Sequence, residues 1–287
     1  MAECALSVEN LEKHYPGFLL DHVSFQVPRG TIVGLVGENG AGKSTTLSAI
    51  LGLIRADAGE ISILGKSGAE IDRAVRAQTG VVFDGGNFPE QLTPKKLEAL
   101  LKSICPAFDR AVYTMLLEKL GLPAGRKIKR LSKGMKMKLS IAAALASRPR
   151  LLLLDEPTSG LDPVVRDDIL DLLLDFVQDE QNAVLISSHI TSDLEKVADY
   201  IVFLHGGRVI FQKPKDELIY RYGIIKCGKA QFEALDSADI IAYRKQDYEW
   251  QVLVADREAA KKKYPKAVID PATIDEIMLL YIKGETR

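Results

Sequence analysis

A glycine-rich segment between an apolar strand and a helix constrains the fold of this chain more than any other feature. Residues 31–36 form a short apolar run that predicts a buried strand, and a helix is predicted over about 44–53. Glycines let the connecting backbone curl until successive N–H groups point inward, and the helix adds the positive end of its dipole. This pattern predicts a cradle for phosphate groups, made of Gly37, Glu38, Asn39, Gly40, Ala41, Gly42, Lys43, Ser44 and Thr45.

Two side chains of the segment have the chemistry that such a cradle needs. The Lys43 ammonium can reach β- and γ-phosphates, and the Ser44 hydroxyl can ligate Mg²⁺. The plainer alternative is a glycine turn joining a strand to a helix. The dinucleotide pattern G-x-G-x-x-G is absent from the segment, so an oxidoreductase of the Rossmann type is not supported.

A pair of carboxylates follows another apolar run, at 151–154. Because ligands of open α/β sheets bind at the carboxyl ends of the strands, we expect Asp155 and Glu156 to lie beside the phosphate cradle. Asp155 is placed to hold Mg²⁺, directly or through water. Glu156 can then act as the general base that polarises an attacking water. The alternative is a strand that ends in a solvated acidic turn.

One of the four histidines stands in a similar position. His189 follows the predicted strand 183–187, so it is expected at the same edge as a donor to the γ-phosphate. Ser192 and Glu195 form a capping-box pattern that predicts the start of the next helix. Surface or partly packed positions are expected for His14, His22 and His205.

Composition narrows the class of protein. The chain has 287 residues, 47% apolar and 27% charged, which is typical of a globular protein, and a net charge of −1 gives no reason to expect a nucleic-acid partner. Three widely spaced cysteines without a C-x-x-C pair argue against a zinc site or a disulfide framework and favour the cytoplasm.

The N-terminal segment lacks the pattern of a signal peptide. The longest unbroken apolar run, about 141–146, is far shorter than the roughly 20 residues of a spanning helix, so any membrane-crossing part should be a separate chain.

Strands and helices alternate, which predicts a layered α/β core. A helix is predicted from Asp162 and Pro163 onward, and residues from Pro94 to about Ala146 are helical and free of strands. From Lys213 and Pro214 onward the pattern changes to two strand-like runs, 239–244 and 250–255, and a final helix over 273–283. Further strands are predicted at 22–27, 61–64, 81–83, 201–204 and 209–211.

Taken together, these residues resemble the ATP-binding-cassette (ABC) family of transporter ATPases over roughly residues 4–212. Residues 131–135, Leu-Ser-Lys-Gly-Met, stand where the family has its signature LSGGQ. Residues 159–162, Ser-Gly-Leu-Asp, look like the family's D-loop, and His189 occupies its switch-histidine position. Tyr15 matches the aromatic residue that stacks on adenine, although a lone tyrosine is more often a packing residue.

The resemblance implies a P-loop NTPase core in residues 1–212: a mixed sheet with helices, an antiparallel β subdomain and a helical subdomain at about 90–146. Residues 213–287 are expected to form a small α+β accessory domain. Two subunits, identical or paralogous, would lie head to tail, with ATP and Mg²⁺ between the phosphate loop of one (residues 37–45) and the signature residues Ser132 and Gly134 of the other. Asp162 of the D-loop is a further expected nucleotide-binding residue. A separately encoded permease is implied, with the ATPase peripheral on the inner face of the membrane.

Two departures from the family pattern concern the active site. Asp84 replaces the glutamine that touches Mg²⁺ and couples the site to the membrane subunit, so a carboxylate is expected as a metal ligand there. The signature has Lys133 for glycine and Met135 for glutamine. Ser132 and Gly134 are retained, so we expect ATP hydrolysis to survive. A binding module that does not hydrolyse ATP is the alternative.

The short chain and its LSKGM signature resemble the bacterial subfamily that pairs with six-helix permeases for export, with peptides, antibiotics or lipids as plausible cargo. A chromosome-organising ABC ATPase would need long heptad arms, and none is present. A translation factor of the superfamily usually carries two cassettes, whereas this chain has one phosphate loop.

Basic residues also crowd the start of the helix led by Ser132, which indicates either an anion site or a solvated face; they are Arg126, Lys127, Lys129, Arg130, Lys133, Lys136 and Lys138.

Overall fold

The computed structural model describes residues 3–84, 88–246 and 248–286. The chain forms two compact units, which divide between Gln212 and Lys213. The first contains two sheets and the second contains one. The predicted α/β fold class, with a mixed sheet, an antiparallel β subdomain and a helical subdomain, is confirmed.

A six-stranded sheet forms the centre of the first unit, in the order β10-β9-β3-β8-β7-β6. Its strands are β3 (Ile32–Val36), β6 (Thr79–Val82), β7 (Leu151–Asp155), β8 (Ala183–Ser188), β9 (Tyr200–His205) and β10 (Arg208–Pro214). From β6 across to β9 the neighbouring pairs are parallel. Every residue of β3 and β8 is buried, as expected of strands covered on both faces.

A second, antiparallel sheet has the order β2-β1-β4-β5. Its strands are β1 (Cys4–Tyr15), β2 (Phe18–Pro28), β4 (Ala58–Ile63) and β5 (Lys66–Ser67). The predicted alternation in β2 is confirmed, because Val23, Phe25 and Val27 are all buried. Strand β1 was not predicted. Its polar residues interrupt the apolar pattern, and the β2 and β4 backbones on either side pair with it.

Seven α-helices belong to the described part of the first unit. They are α1 (Lys43–Ile50), α2 (Arg73–Ala77), α3 (Pro94–Ile104), α4 (Arg110–Lys119), α5 (Lys133–Ala146), α6 (Pro163–Val177) and α7 (Thr191–Val197). The capping-box prediction for α7 is wrong. The helix begins two residues earlier, after Ile190, and Ser192 lies inside its first turn.

Helices α3, α4 and α5 pack around their own apolar core, as predicted for a helical subdomain. Each begins at a residue whose side chain accepts a backbone N–H: Thr93, Asp109 and Ser132. Tyr113 is fully buried in this core, and its hydroxyl donates to the Pro94 carbonyl over 3.1 Å. Burial raises the pKa of Tyr113 well above its ordinary value.

The described residues of the second unit form a four-stranded sheet in the order β12-β13-β11-β14 and three α-helices. The strands are β11 (Gly223–Cys227), β12 (Ala242–Gln246), β13 (Glu249–Val254) and β14 (Val268–Pro271), and the helices are α8 (Lys229–Glu233), α9 (Arg257–Lys263) and α10 (Ile274–Lys283). The pairs that β11 makes with β13 and β14, and that β12 makes with β13, are antiparallel. Thr273 and Glu276 form a capping box that starts α10. Two strands were missed by the sequence pattern: β11 and β14.

Within the described ranges, no helix combines the length and apolar character needed to cross a bilayer.

Candidate functional site

Strand register brings the predicted site residues to one edge of the central sheet. In the parallel ladder Val36 of β3 pairs with Ser188 of β8, and Asp155 of β7 pairs with Ser187. The segment 37–42 follows β3 directly and leads into α1. The phosphate loop and the carboxylates therefore lie side by side at the carboxyl ends of the strands.

The phosphate loop (residues 37–45) needs its glycines. Gly40 and Gly42 have φ values of 84° and 111°, which L side chains rarely adopt. A β-carbon at Gly42 would lie 2.6 Å from Leu20 Cδ2, and one at Gly37 would lie 2.4 Å from the Leu204 carbonyl oxygen. No side chain caps α1, whose N-cap residue is Gly42, so the first N–H groups of the helix are left for an anion.

Lys43 is held beneath the loop. Its side chain is buried, and Nζ donates to the carbonyl oxygens of Gly37 and Glu38 over 2.7 and 3.2 Å. The same Nζ lies 3.5 Å from Glu156 Oε1. Ala41 N donates to Glu38 O, which tightens the bend, and Glu38 Oε1 lies 3.1 Å from His205 Nδ1. The ammonium is therefore positioned between the loop and the carboxylate.

Ser44 and Asp155 face each other across the site. Ser44 Oγ donates to Asp155 Oδ1 over 3.4 Å, and Ser187 Oγ donates to the same oxygen over 2.5 Å. Ser187 is fully buried. The orientation of the Asp155 carboxylate is thus set by a hydroxyl on the neighbouring strand.

Glu156 has a backbone φ of 49°, an uncommon value for a residue with a side chain. Its N–H donates to the Ser187 carbonyl over 3.1 Å. Glu156 Oε2 lies 2.6 Å from His189 Nδ1, and the His189 N–H points to the same oxygen over 3.4 Å. The structure thus brings together the two predicted catalytic residues and Lys43.

These groups surround a cleft of about 550 Å³, called here the loop cleft. It is lined by Phe18, Asn39, Gly40, Gly42, Lys43, Ser44, Thr45, Asp84, Glu156, Ser159 and His189. The open shape and the mixture of one buried cation, carboxylates and backbone amides suit a polyanion that arrives with a metal ion.

Tyr15 lies at the end of β1, 42% exposed and outside this lining. Its cross-strand partner, Phe18, lines the loop cleft instead. Lys13 Nζ lies 5.5 Å from the centre of the Tyr15 ring and pairs with Asp57 over 2.8 Å. Asp57 also accepts the His14 N–H over 2.7 Å. The end of β1 is therefore tied to the segment that precedes β4.

Asp84 lines the loop cleft and contacts a residue of the signature segment. Its Oδ1 lies 3.4 Å from Lys133 Nζ, and Lys133 also donates to the Ser159 carbonyl over 2.8 Å. The other basic residues of α5 have acidic partners as well: Lys136 pairs with Glu90, and Lys138 with Asp168. The crowded positive charge at this helix is thus partly neutralised within the subunit.

Ser132, Gly134 and Asp162 lie outside the lining of the loop cleft. Ser132 caps α5 by accepting the Met135 N–H over 3.2 Å, and Asp162 caps α6 by accepting the Val165 N–H over 3.1 Å. A β-carbon at Gly134 would lie 2.9 Å from Val165 Cγ1. Close packing of α5 on α6 is one reason for glycine at this position.

Oxygen atoms dominate the possible metal ligands. The described residues contain no group of three or more His, Cys, Asp and Glu side chains that could hold a metal ion. Ser44, Asp155 and Asp84 supply hard oxygen donors, which fit Mg²⁺ held by one or two carboxylates and by substrate phosphates.

The family profile described as ABC transporter matches residues 20–159. The ABC transporter ATP-binding protein YtrB of Bacillus subtilis (strain 168) is 31% identical over 285 residues, which cover 94% of each chain. This chain belongs to the ABC transporter family.

Two further comparisons agree. The lantibiotic transport ATP-binding protein SrtF of Streptococcus pyogenes is 33% identical, over 74% of this chain and 91% of its own length. A solved structure described as an ATP-binding subunit of an ABC transporter superposes with a TM-score of 0.66 and 32% identity, over 75% of this chain and 91% of that one. The ABC subunit described here is an ATPase that binds and hydrolyses ATP.

Three residues of this ABC site were not predicted from the sequence: Phe18, Ser159 and Ser187. Ser159 belongs to the recognised D-loop segment. Ser187 is the last residue of the predicted strand 183–187, and the observed strand continues one residue further, to Ser188. A hydroxyl at the last positions of an apolar strand was a usable signal. Phe18 had no such signal, because the pairing of β1 with β2 brings it to the cleft.

Proposed function

We propose that this ABC ATP-binding subunit works as a head-to-tail dimer on the cytoplasmic face of the membrane and drives export through a separate permease. The observation that carries the proposal is the position of the Glu156 carboxylate at the loop cleft, 3.5 Å from Lys43 Nζ and 2.6 Å from His189 Nδ1. A carboxylate held beside a phosphate cradle is the arrangement that phosphoryl transfer to water requires.

The proposed roles follow from these contacts. Backbone amides of the phosphate loop and Lys43 hold the β- and γ-phosphates. Glu156 accepts a proton from the attacking water, and His189 orients the γ-phosphate and Glu156. Ser44, Asp155 and Asp84 are the proposed ligands of Mg²⁺, which when bound neutralises charge on the phosphoryl oxygens. Ser187 keeps Asp155 in place through its 2.5 Å hydrogen bond.

The head-to-tail dimer is supported by the absence of the signature residues from the lining of the loop cleft. Ser132 and Gly134, the proposed γ-phosphate contacts, lie outside the cleft of their own chain. A second subunit would supply them, together with Asp162, to this cleft. In that case ATP joins two subunits, and loss of phosphate after hydrolysis lets them separate. Tyr15 or its neighbour Phe18 would provide the aromatic surface for adenine.

A groove beside the helical subdomain is the proposed contact for the permease. Its volume is about 450 Å³, and residues of α2, β6, α3 and α5 line it. Phe83, Phe88 and Ile104 are among its apolar lining residues, and Ile104 is 60% exposed. Phe83 directly precedes Asp84 in the chain, so movement in this groove has a short path to the ATP site.

Export is the proposed direction because the chain resembles the export subfamily in its signature, and peptides, antibiotics or lipids are the proposed cargo. The relative SrtF acts in lantibiotic transport, which agrees with a peptide-like cargo. Residues 1–212 are proposed as the ATPase domain, and residues 213–287 as an accessory domain.

Replacing Glu156 by glutamine tests the proposal. We expect Glu156→Gln to retain ATP binding but to lower the turnover number by about 10²–10⁴, because the general base is lost. The matched control is Glu180→Gln, on the exposed turn after α6, which should leave phosphate release unchanged. Light scattering of the Glu156→Gln protein with Mg²⁺-ATP should show a dimer. Absence of turnover in the unaltered protein at dimer-forming concentrations would support the non-hydrolysing alternative.

A further inference from the structure

The two positions at which this chain departs from the family pattern in charge lie in contact. Asp84 stands where a neutral glutamine is expected, and Lys133 stands where the signature has glycine. Lys133 Nζ lies 3.4 Å from Asp84 Oδ1. We propose that Lys133 is a positioning residue that competes with Mg²⁺ for the Asp84 carboxylate, and so controls how readily the metal–nucleotide complex binds. The inference rests on the proposed role of Asp84 at the metal site.

The Lys133 ammonium contacts two residues that lie on different segments of the chain, Asp84 and Ser159. Besides Asp84, its ammonium donates to the Ser159 carbonyl over 2.8 Å. A β-carbon at Gly160 would lie 3.3 Å from Nζ, so the side chain lies close against this turn. Both Asp84 and Ser159 line the loop cleft. The first residue of α5 is thereby tied to two sides of the ATP site in the same subunit.

The position of Lys133 explains why it needs these partners. It is the first residue of α5, where the positive end of the helix dipole disfavours a cation. A carboxylate and a carbonyl oxygen offset that repulsion. Without Asp84, the same lysine would face the helix dipole with one neutral acceptor.

The contact is exchangeable. The Lys133 and Asp84 side chains are 47% and 52% exposed, and an ion pair exposed to this extent is weak. A divalent cation at the adjacent metal site attracts the carboxylate more strongly than one ammonium does. One carboxylate thus has two competing cations, and binding of the metal–nucleotide complex frees Lys133 from Asp84.

The test measures binding, with no need for turnover. Fluorescent N-methylanthraniloyl-ATP is held at fixed concentration with each full-length protein, and Mg²⁺ is titrated to give the half-saturating concentration. Lys133→Met removes the competitor and should lower this concentration about two- to fivefold, the range expected for an exposed ion pair. Lys136→Met is the control, because Lys136 lies one turn along α5 and pairs with Glu90.

A double-mutant cycle with Asp84→Asn separates competition from a general effect of positive charge. Asp84→Asn alone should raise the half-saturating Mg²⁺ concentration, and adding Lys133→Met to it should change nothing further. An equal shift from Lys133→Met in both backgrounds contradicts the competition. So does a Lys133→Met protein with the Mg²⁺ dependence of the parent. If the unaltered chain binds no nucleotide, the proposed function fails together with the inference. If it binds nucleotide but the Lys133 variant behaves in one of the two ways just described, only the competition between Lys133 and Mg²⁺ is contradicted.

Discussion

In the unit that ends at Gln212, five non-glycine and twelve glycine residues of the described chain have a positive φ. In the described residues from Lys213 onward there are none. Ten Lys, Asp, Asn, Ser and Thr residues are buried in the described chain, and all belong to the first unit, including Lys43 and Ser187. Unusual backbone conformation and buried polar groups therefore occur in the same unit as the loop cleft.

The second unit is stabilised in a more ordinary way. Its core contains a stack of Phe232 on Trp250, with ring centres 4.1 Å apart and planes 5° apart, and Tyr243 packs against both rings. Several of its acidic residues pair with lysines at the surface, as Asp236 and Asp239 do with Lys263. The loop cleft thus depends on an energetically unfavourable local backbone conformation that the surrounding sheet maintains. The second unit depends on apolar packing.

The largest expected effect tests the independence of the second unit. Phe232→Ala removes a buried ring and should destabilise that unit by about 3–5 kcal/mol. Trp250, the single tryptophan of the chain, reports its unfolding by fluorescence during a urea titration. ATP turnover measured below the transition should stay near the parent value. Tyr248→Ala, at a fully exposed position, is the control, and a parallel loss of turnover in Phe232→Ala would break the comparison.

Lys43→Met tests whether the buried cation serves function. Turnover should fall by about 10²–10³, or 2.7–4 kcal/mol, because a preorganised donor to the phosphates is lost. The melting temperature should change little, since the unbranched apolar side chain of methionine, although shorter than that of lysine, fills most of the same space. Lys66→Met, at an exposed lysine of β5, provides the comparison for turnover and melting temperature. A large fall in melting temperature with turnover retained would assign Lys43 a structural role.

Ser187→Ala tests whether a buried neutral group, the Ser187 hydroxyl, also serves function. Loss of the hydroxyl frees the Asp155 carboxylate to rotate, so we expect turnover to fall about tenfold and the Mg²⁺ concentration for half-maximal turnover to rise. Ser188→Ala is the matched variant, because the Ser188 hydroxyl accepts the Ile190 N–H and makes no contact with Asp155 that the structure describes. Equal behaviour of the two variants would show that Ser187 serves packing.

The smallest effect concerns a surface carboxylate of the first unit. The Lys13 ammonium and then the His14 N–H lower the pKa of Asp57 from 3.8 to about 2. Because the folded-state pKa is depressed, the stabilisation is complete above the unfolded value and disappears as pH falls toward 2. Asp57→Asn should lower the melting temperature by no more than about 2 °C at pH 7, and by less at pH 3. Asp171→Asn serves as control, and a difference that grows as pH falls would contradict the assignment.

The phosphate loop could be predicted from sequence because local rules govern it. Glycines at 37, 40 and 42 are required by close contacts or positive φ, and an apolar strand and a helix flank the loop. Asp155 and Glu156 could be predicted for a related reason, since carboxyl ends of parallel strands meet at one edge. The helix after Asp162 was also predicted, because its cap and its proline act within one turn.

Strands β1, β11 and β14 could not be predicted in the same way. β1 has polar residues at several positions, and its partners β2 and β4 hydrogen-bond to it from both sides. β11 lies at the centre of its sheet between β13 and β14, so its state depends on segments distant in the chain. The start of α7 was also misplaced. A local capping pattern at Ser192 predicted it, but the helix begins after Ile190, close to the end of β8.

The chain's own sequence determined the phosphate loop, the carboxylate pair and the family to which the protein belongs, because each depends on residue types at short, regular spacings. Only the tertiary structure placed Ser187 on Asp155, His189 on Glu156 and Lys133 on Asp84. These pairs join residues about 30 or 50 positions apart in the chain. Their distances depend on strand register and helix packing, which no short segment of sequence specifies.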